Sequence, residues 1–267
     1  SIFQYASTNA SANTFCDFYL SPFLSCQRIA DDRCNELSWR IYLENGAFLN
    51  GRTGNRDCGD GLNSTNQIAL SLVSKARIVI MASGAGSIAQ SIFDAVASGE
   101  LPADIVGLIC DQPGAQVLTR AANSNIASSL IPMKSDRKLW DAEVFKKLES
   151  LQPDLVVSAG FMRILASDTV SHFRIVNSHP ALLPLFPGAH AVRDALAAGA
   201  NTTGATVHIV DAGVDTGPVL AQREVSITAG ISETELHEQI KVVERSLIVD
   251  VVTEIAEGKL NLSERAN

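Results

Sequence analysis

Hydrophobic and polar positions become regular at Arg77. Arg77-Ile78-Val79-Ile80-Met81-Ala82 is apolar without alternation, which predicts a strand buried on both faces. Ser83-Gly84-Ala85-Gly86-Ser87 then turns the chain, and a helix is expected over residues 88–98. The rhythm repeats with strands over residues 105–110, 127–131 and 155–159, and helices over 116–123 and 138–151 between them. In the last of these helices Leu139, Ala142, Phe145 and Leu148 are expected to face the sheet. A further apolar run, 173–176, leads into a loop containing Pro180, Pro184 and Pro187, and another strand is expected over 204–210. Past Val210 the loop is too short for a parallel crossover, so residues 218–225 are expected to pair antiparallel. The closing helix, 233–256, opens on the capping box Ser232-Glu233-Thr234-Glu235 and carries Leu236, Ile240, Val243, Leu247, Val251 and Ile255 at helical spacing. Strands alternating with helices at this spacing predict an α/β fold: a doubly wound, mostly parallel sheet with helices on both faces and an antiparallel strand near the C-terminal end.

Residues 1–74 read differently. They show neither sustained alternation nor a helical stripe, and the stretch from Gly51 to Gly61 offers no β-branched strand. All three tyrosines lie before residue 60 whereas the first lysine is Lys75, so two kinds of sequence meet near residue 74. Cys16, Cys26, Cys34 and Cys58 invite a zinc or disulfide reading, but no two are spaced as Cys-x-x-Cys, so no metal is expected. The division expected is an extension over 1–74, disordered or outside the working protein, whose native chain would then start near Val73, and a catalytic domain over 75–267.

Charge narrows the partners. A chain of 267 residues with net charge -8 lacks the clustered cations that nucleic acid or anionic lipid requires. No apolar run approaches the roughly twenty residues that span a bilayer, and the amino terminus has no secretory pattern, so the cytoplasm is expected.

The polar residues that remain cluster at strand ends, where open α/β sheets hold ligands. Asn177 and His179 are two apart, so on an extended backbone they project to one side. They offer a carboxamide donor and an imidazole that exchanges protons near neutral pH. Downstream, Asp211-Ala212-Gly213-Val214-Asp215 supplies carboxylates, and Asp215 is the natural partner for His179. The expected effect of that carboxylate is to raise the histidine's pKa. The glycine turn at 83–87 could cradle a phosphate on backbone amides, while its missing third glycine argues against a dinucleotide fingerprint.

Five motifs in order, Ser83-Gly84-Ala85-Gly86-Ser87, Gly160-Phe161-Met162-Arg163-Ile164-Leu165, Asn177-Ser178-His179-Pro180-Ala181-Leu182-Leu183-Pro184, Gly204-Ala205-Thr206-Val207-His208 and Val214-Asp215-Thr216-Gly217-Pro218, resemble the phosphoribosylglycinamide formyltransferase family. The resemblance implies transfer of a formyl group from 10-formyltetrahydrofolate, as co-substrate, to the amine of glycinamide ribonucleotide in purine synthesis. By it, Asn177, His179 and Asp215 are catalytic, with His190 and His208 as hydrogen-bond partners behind them. Gly86, Ser87 and Ile88 hold the ribose phosphate, although many relatives have Asn where this chain has Ile88, and Lys241, Val242, Val243 and Glu244 complete the ribonucleotide site. Arg137, Met162, Arg163, Ile164 and Leu165, with Asn177 and the segment Asp211, Ala212, Gly213, Val214 and Asp215, contact the folate. Small molecules are then the partners, and a monomer and a homodimer both stay open. The rival readings are a formyltetrahydrofolate deformylase, which passes the group to water, and a non-catalytic folate or nucleotide module.

Overall fold

The computed structural model describes residues 75–262 and, before them, the backbone of four strands. Two compact units divide the chain, Ser1–Lys75 and Ala76–Asn267. In the first, β1 (Ser25–Ala30), β2 (Leu37–Tyr42), β3 (Phe48–Thr53) and β4 (Ser71–Val73) form an antiparallel sheet in that order. This sheet differs from the strand-free reading of the same stretch. Leu37, Trp39 and Ile41 do alternate with Ser38 and Arg40, but over a run too short to stand out without its antiparallel partners. Cys16, Cys34 and Cys58 lie outside the described residues, and so does the cysteine set they would form with Cys26.

The second unit is built on a seven-stranded sheet ordered β11-β10-β9-β8-β5-β6-β7. Its strands are β5 (Ala76–Ala82), β6 (Ala103–Cys110), β7 (Ser128–Leu130), β8 (Leu155–Ser158), β9 (Ile175–His179), β10 (Thr202–Ile209) and β11 (Val219–Ser226). Its helices are α1 (Ser87–Ser98), α2 (Gln116–Asn123), α3 (Arg137–Leu151), α4 (Ser167–His172), α5 (Ala191–Ala197) and α6 (Glu233–Ala256). From β9 to β7 all neighbours are parallel.

Strand alternation explains why both faces are covered. Ile78, Ile80 and Ala82 of β5 pack into one core with residues of α1, α2 and α6, while Val79 and Met81 point to the other, where α3 lies. Ser232 caps α6 by accepting from the Glu235 N–H at 3.2 Å as Glu235 accepts from the Ser232 N–H at 3.0 Å, so the box read in the sequence is formed.

Two expectations need correction. Leu139 and Ala142 are exposed; the buried stripe of α3 is Trp140, Val144 and Leu148. Trp140 decides the rotation, because its large ring is fully buried and its Nε1–H donates to the Ile131 carbonyl at 2.9 Å. The antiparallel turn also comes one strand earlier than expected. β10 is antiparallel to both β9 and β11, with Thr206 opposite His179 and Ile209 opposite Val176. The connector from β9 contains only α5, about 10 Å long at 1.5 Å per residue, and the chain re-enters the sheet from beyond His179 instead of crossing back.

Candidate active site

On β9, Asn177 and His179 share the face of Ile175, and Ser178 between them shares that of Val176, which packs with α6. The extended spacing read from the sequence therefore holds. Pairing across β10 sets His208 opposite Asn177. The His208 Nδ1–H donates to the Ile209 carbonyl at 2.9 Å, which assigns the tautomer and leaves Nε2 to accept from Asn177 Nδ2 at 3.2 Å. One amide hydrogen of Asn177 is so fixed and the other is left for a ligand. His208 thus sits behind Asn177, as the resemblance implies. His190 does not share this arrangement: it is exposed at the N-cap of α5 and makes no capping bond.

Because β10 is reversed, residues 210–218 leave the sheet beside Val176 and turn back over its face. Asp215, at φ +54°, brings its Oδ2 to 3.3 Å from His179 Nδ1 and its Oδ1 to 3.5 Å from His208 Nε2. The Gly188 N–H donates to the same Oδ2 at 2.7 Å. Gly217 lets this loop close, since a Cβ there would stand 1.9 Å from the Ile209 carbonyl oxygen. Asp211, expected to face the folate, spends its Oδ1 inside the loop, accepting from the Gly213 N–H at 3.0 Å and the Thr216 hydroxyl at 2.7 Å. Val214 is exposed at the loop's tip.

His179 is buried, with Nε2–H donating to the Phe186 carbonyl at 2.8 Å. Burial pushes its pKa below the ordinary value, assisted by His208, while the Phe186 carbonyl and Asp215 pull the other way and lose. The expected rise is therefore corrected: the carboxylate acts in the expected sense, but desolvation outweighs it. Burial alone would raise the Asp215 carboxyl; His208 in its protonated form, the Gly188 N–H and protonated His179 hold it below the usual range. The cluster is an amide donor, an acidic imidazole and a carboxylate, suited to stabilising an oxyanion while moving a proton.

The loop after β9 is held by residues that the sequence reading missed. The Thr206 hydroxyl donates to the Ala181 carbonyl at 2.6 Å and accepts from the Leu183 N–H at 3.0 Å, and Gln222 Nε2 donates to it at 2.9 Å. Thr206 carried a signal, a polar side chain inside the buried run of β10, whereas Gln222 carried none, because Arg223 and Glu224 follow it on β11.

At the glycine turn, Gly86 is the N-cap of α1 with φ +73°, and a Cβ there would lie 2.4 Å from Val117 Cγ2. Arg120 Nε donates to the Ala85 carbonyl at 2.8 Å and so anchors the turn to α2. The Ile88 side chain is part of the core, so that position can offer a ligand only its backbone amide. On α6, Lys241 pairs with Glu238 at 2.8 Å, Val242 is exposed and Val243 packs partly on the core. Glu244 is 3 % exposed and accepts from the Ser178 hydroxyl at 2.8 Å. Burial pushes its carboxyl up to about 7 against the pull of Ser178, Lys241 and Arg245. Ser87, Val242, Arg120 and Arg245 line one open groove between α1 and α6. That groove does not include Asn177, His179 or Asp215.

Residues 160–165 cross the carboxyl edge between β8 and α4. The Ser83 N–H donates to the Gly160 carbonyl at 3.1 Å, and the Met162 N–H donates to the Ser83 hydroxyl oxygen at 2.9 Å. Arg137 donates to the Ile164 carbonyl and pairs with Asp141 at 2.8 Å. Met162 and Ile164 are exposed and Leu165 packs partly on the core beside Phe161. Arg163 Nε reaches Asp111 Oδ2 at 2.6 Å, and Asp111 is a residue that the sequence reading passed over although it ends an apolar strand run. Cys110, just before it, is fully buried core with its thiol pKa raised by that burial, a setting that leaves it unreactive. Among the described residues no His, Cys, Asp and Glu cluster has metal-binding geometry, and no helix is long and apolar enough to cross a membrane.

Residues 76–252 match the formyl transferase family model. The chain is 47 % identical over 184 residues to a phosphoribosylglycinamide formyltransferase of Mycobacterium tuberculosis, covering 68 % of this chain and 85 % of that one. It is 37 % identical over 193 residues to the enzyme of the same name from Escherichia coli, covering 71 % and 91 %. The crystal structure of glycinamide ribonucleotide transformylase 1 from Symbiobacterium toebii superposes with a TM-score of 0.70 at 32 % identity, covering 76 % of this chain and 97 % of that one. On the family match, these identities and the superposition, the chain belongs to the phosphoribosylglycinamide formyltransferase family.

Proposed function

We propose that this protein transfers the formyl group of 10-formyltetrahydrofolate to the amine of glycinamide ribonucleotide, a step of purine biosynthesis. One observation carries the mechanism: Asn177 and His179 of one strand and Asp215 of one loop come to within hydrogen-bonding reach of one another or of shared partners. The amine nitrogen attacks the formyl carbon, the new C–N bond forms, and the carbonyl oxygen becomes an oxyanion. The second Asn177 N–H and the imidazole of His179 stabilise that charge in a buried setting. As the bond to the folate nitrogen breaks, that nitrogen takes a proton from His179, whose depressed pKa makes its protonated form a ready donor. Asp215, held ionised before the reaction, receives the proton lost by the amine and becomes the neutral acid, and proton exchange with the imidazole that His179 has become restores both groups.

The turn at Gly86, Ser87 and Ile88 binds the phosphate through backbone amides, with Lys241, Val242, Val243 and Glu244 around the ribose. Residues 162–165, Arg137 and 211–215 wall the pterin. Holding both reactants together supplies much of the acceleration. The test is to offer the protein 10-formyltetrahydrofolate with and without glycinamide ribonucleotide. Tetrahydrofolate release that requires the amine is expected. Equal release without it identifies a hydrolase, and none in either case identifies a binding module.

The turn makes a separate prediction. Gly86→Ala places a methyl into Val117 in a left-handed conformation, so α1's first amides must shift. The KM for glycinamide ribonucleotide should rise about tenfold, the size of one lost charge-assisted bond, with the KM for the folate unchanged. Equal changes in both constants would contradict a phosphate role for the turn.

A further inference from the structure

Residues 160–165 have no helical or strand hydrogen bonding of their own, and two of their side chains, Met162 and Ile164, are well exposed. A segment so built would be mobile unless its neighbours fixed it. Three side chains do so: Ser83 through the Met162 N–H, Arg137 through the Ile164 carbonyl, and Asp111 through the guanidinium of Arg163.

Asp111 is the unusual member. It follows the end of β6, its side chain is fully buried, and it pairs with an arginine whose own side chain is 31 % exposed. Gln112 Nε2 donates to the same Oδ2 at 3.0 Å, while Oδ1 is buried without a hydrogen-bond partner. Burial alone would raise its pKa, yet the Ser83 hydroxyl, Arg163 and Gln112 more than offset this and hold the carboxyl below the usual range. A buried ion pair with an orphaned oxygen is a poor device for stability, since apolar residues of similar volume would serve as well. What the pair does supply is direction. The Asp111 carboxylate, attached to a rigid strand end, fixes where Arg163 can lie and therefore how its backbone is turned.

We propose that Asp111 is a positioning residue for the folate co-substrate: by holding Arg163 from beneath, it fixes the backbone donors and acceptors of residues 163–165 that read the pterin ring. This rests on the reading of residues 162–165 as the pterin wall. Asp111 touches neither reactant. It acts by lowering the ordering cost of the wall before the ligand arrives, which favours tight binding.

The test uses the full chain and Asp111→Asn, which keeps shape and removes charge. The KM for 10-formyltetrahydrofolate should rise about tenfold, in keeping with one charge-assisted hydrogen bond, while kcat and the KM for glycinamide ribonucleotide stay within about twofold. Arg163→Gln breaks the same pair from the folate side and should raise the KM for 10-formyltetrahydrofolate at least as far, and adding Asp111→Asn to it should raise that KM no further. Independently of turnover, amide hydrogen exchange at residues 162–165 should quicken in Asp111→Asn while β8 is unaffected. A lowered melting temperature with both KM values unchanged, or unaltered exchange at 162–165, would overturn the proposal. Because exchange is read without catalysis, a parent protein that failed to transfer formyl groups would count against the function and not against the clamp.

Discussion

Replacing His179 by alanine should lower the rate of amine-dependent formyl transfer about a thousandfold or more, within the range that general acid catalysis and oxyanion stabilisation supply. The ring lies two positions from Asn177 on the same strand and contacts Asp215 through Nδ1 at 3.3 Å. Its other nitrogen is committed to the Phe186 carbonyl, so the proton that moves is the one on the Asp215 side. Asp215→Asn should fall to a similar level, because an amide cannot take the amine's proton and presents its own donor towards one of the histidines. Groups acting as a unit do not add, so the double variant should be scarcely slower than the worse single one. Circular dichroism and thermal melts establish that the fold persists, and steady-state kinetics with both substrates read the effect. Near-normal turnover in either folded variant would remove these residues from the chemistry.

Glu244→Gln should stabilise the protein at alkaline pH while weakening substrate binding. In an unfolded chain this carboxyl ionises near 4.5, whereas burial in α6 moves it to about 7. Below pH 4.5 both states keep the proton and the residue makes no difference to stability. Between these values the unfolded chain releases its proton and the folded one retains it, so folding stability falls as pH rises and levels off above 7. A shift of this size corresponds to a loss on the order of 3 kcal/mol, which a glutamine never incurs. The amide still accepts from the Ser178 hydroxyl that now donates to Glu244 at 2.8 Å. Denaturant melts should therefore give nearly equal stabilities for variant and parent at pH 4.5, and a more stable variant at pH 8. A difference independent of pH would mean that the carboxyl titrates normally. The same change should raise the KM for glycinamide ribonucleotide at least tenfold if the ionised oxygen accepts from two ribose hydroxyls, as charged hydrogen bonds of that kind contribute. Stability traded against a ligand contact is common where polar groups are buried for function.

Much of this was visible in residue order. The two-faced apolar run at β5, the glycine turn after it and the capping box of α6 each have one physical reading, and the structure has each. Asn177 and His179 could be placed on one face because period two is a property of any strand. What escaped depended on distant partners. The exposure of Leu139 follows from the space that Phe161 and Ile131 leave for Trp140, which no window along α3 contains. The reversal of β10 follows from where α5 ends. The direction of the His179 pKa needed the competition between burial and its neighbours, and a sequence names the neighbours without their depth. Asp111 was overlooked because it has no motif around it; only the arrival of Arg163 from a loop 52 positions on gives it a role.

The reversed strand also sets an order of assembly. Asn177, His179, His208 and Asp215 all belong to β9, β10 and the loop after β10, and partners such as His179 and Thr206 lie much nearer in the chain than the partners that join β5 to β8. The walls that would grip both reactants depend on parallel neighbours such as Ile78 and Leu155, which must find each other across a long intervening stretch. Contacts between remote positions close late and slowly. A refolding chain would thus possess its reacting groups before it possessed anything to hold substrates against them, and early damage to the parallel half would cost affinity sooner than chemistry.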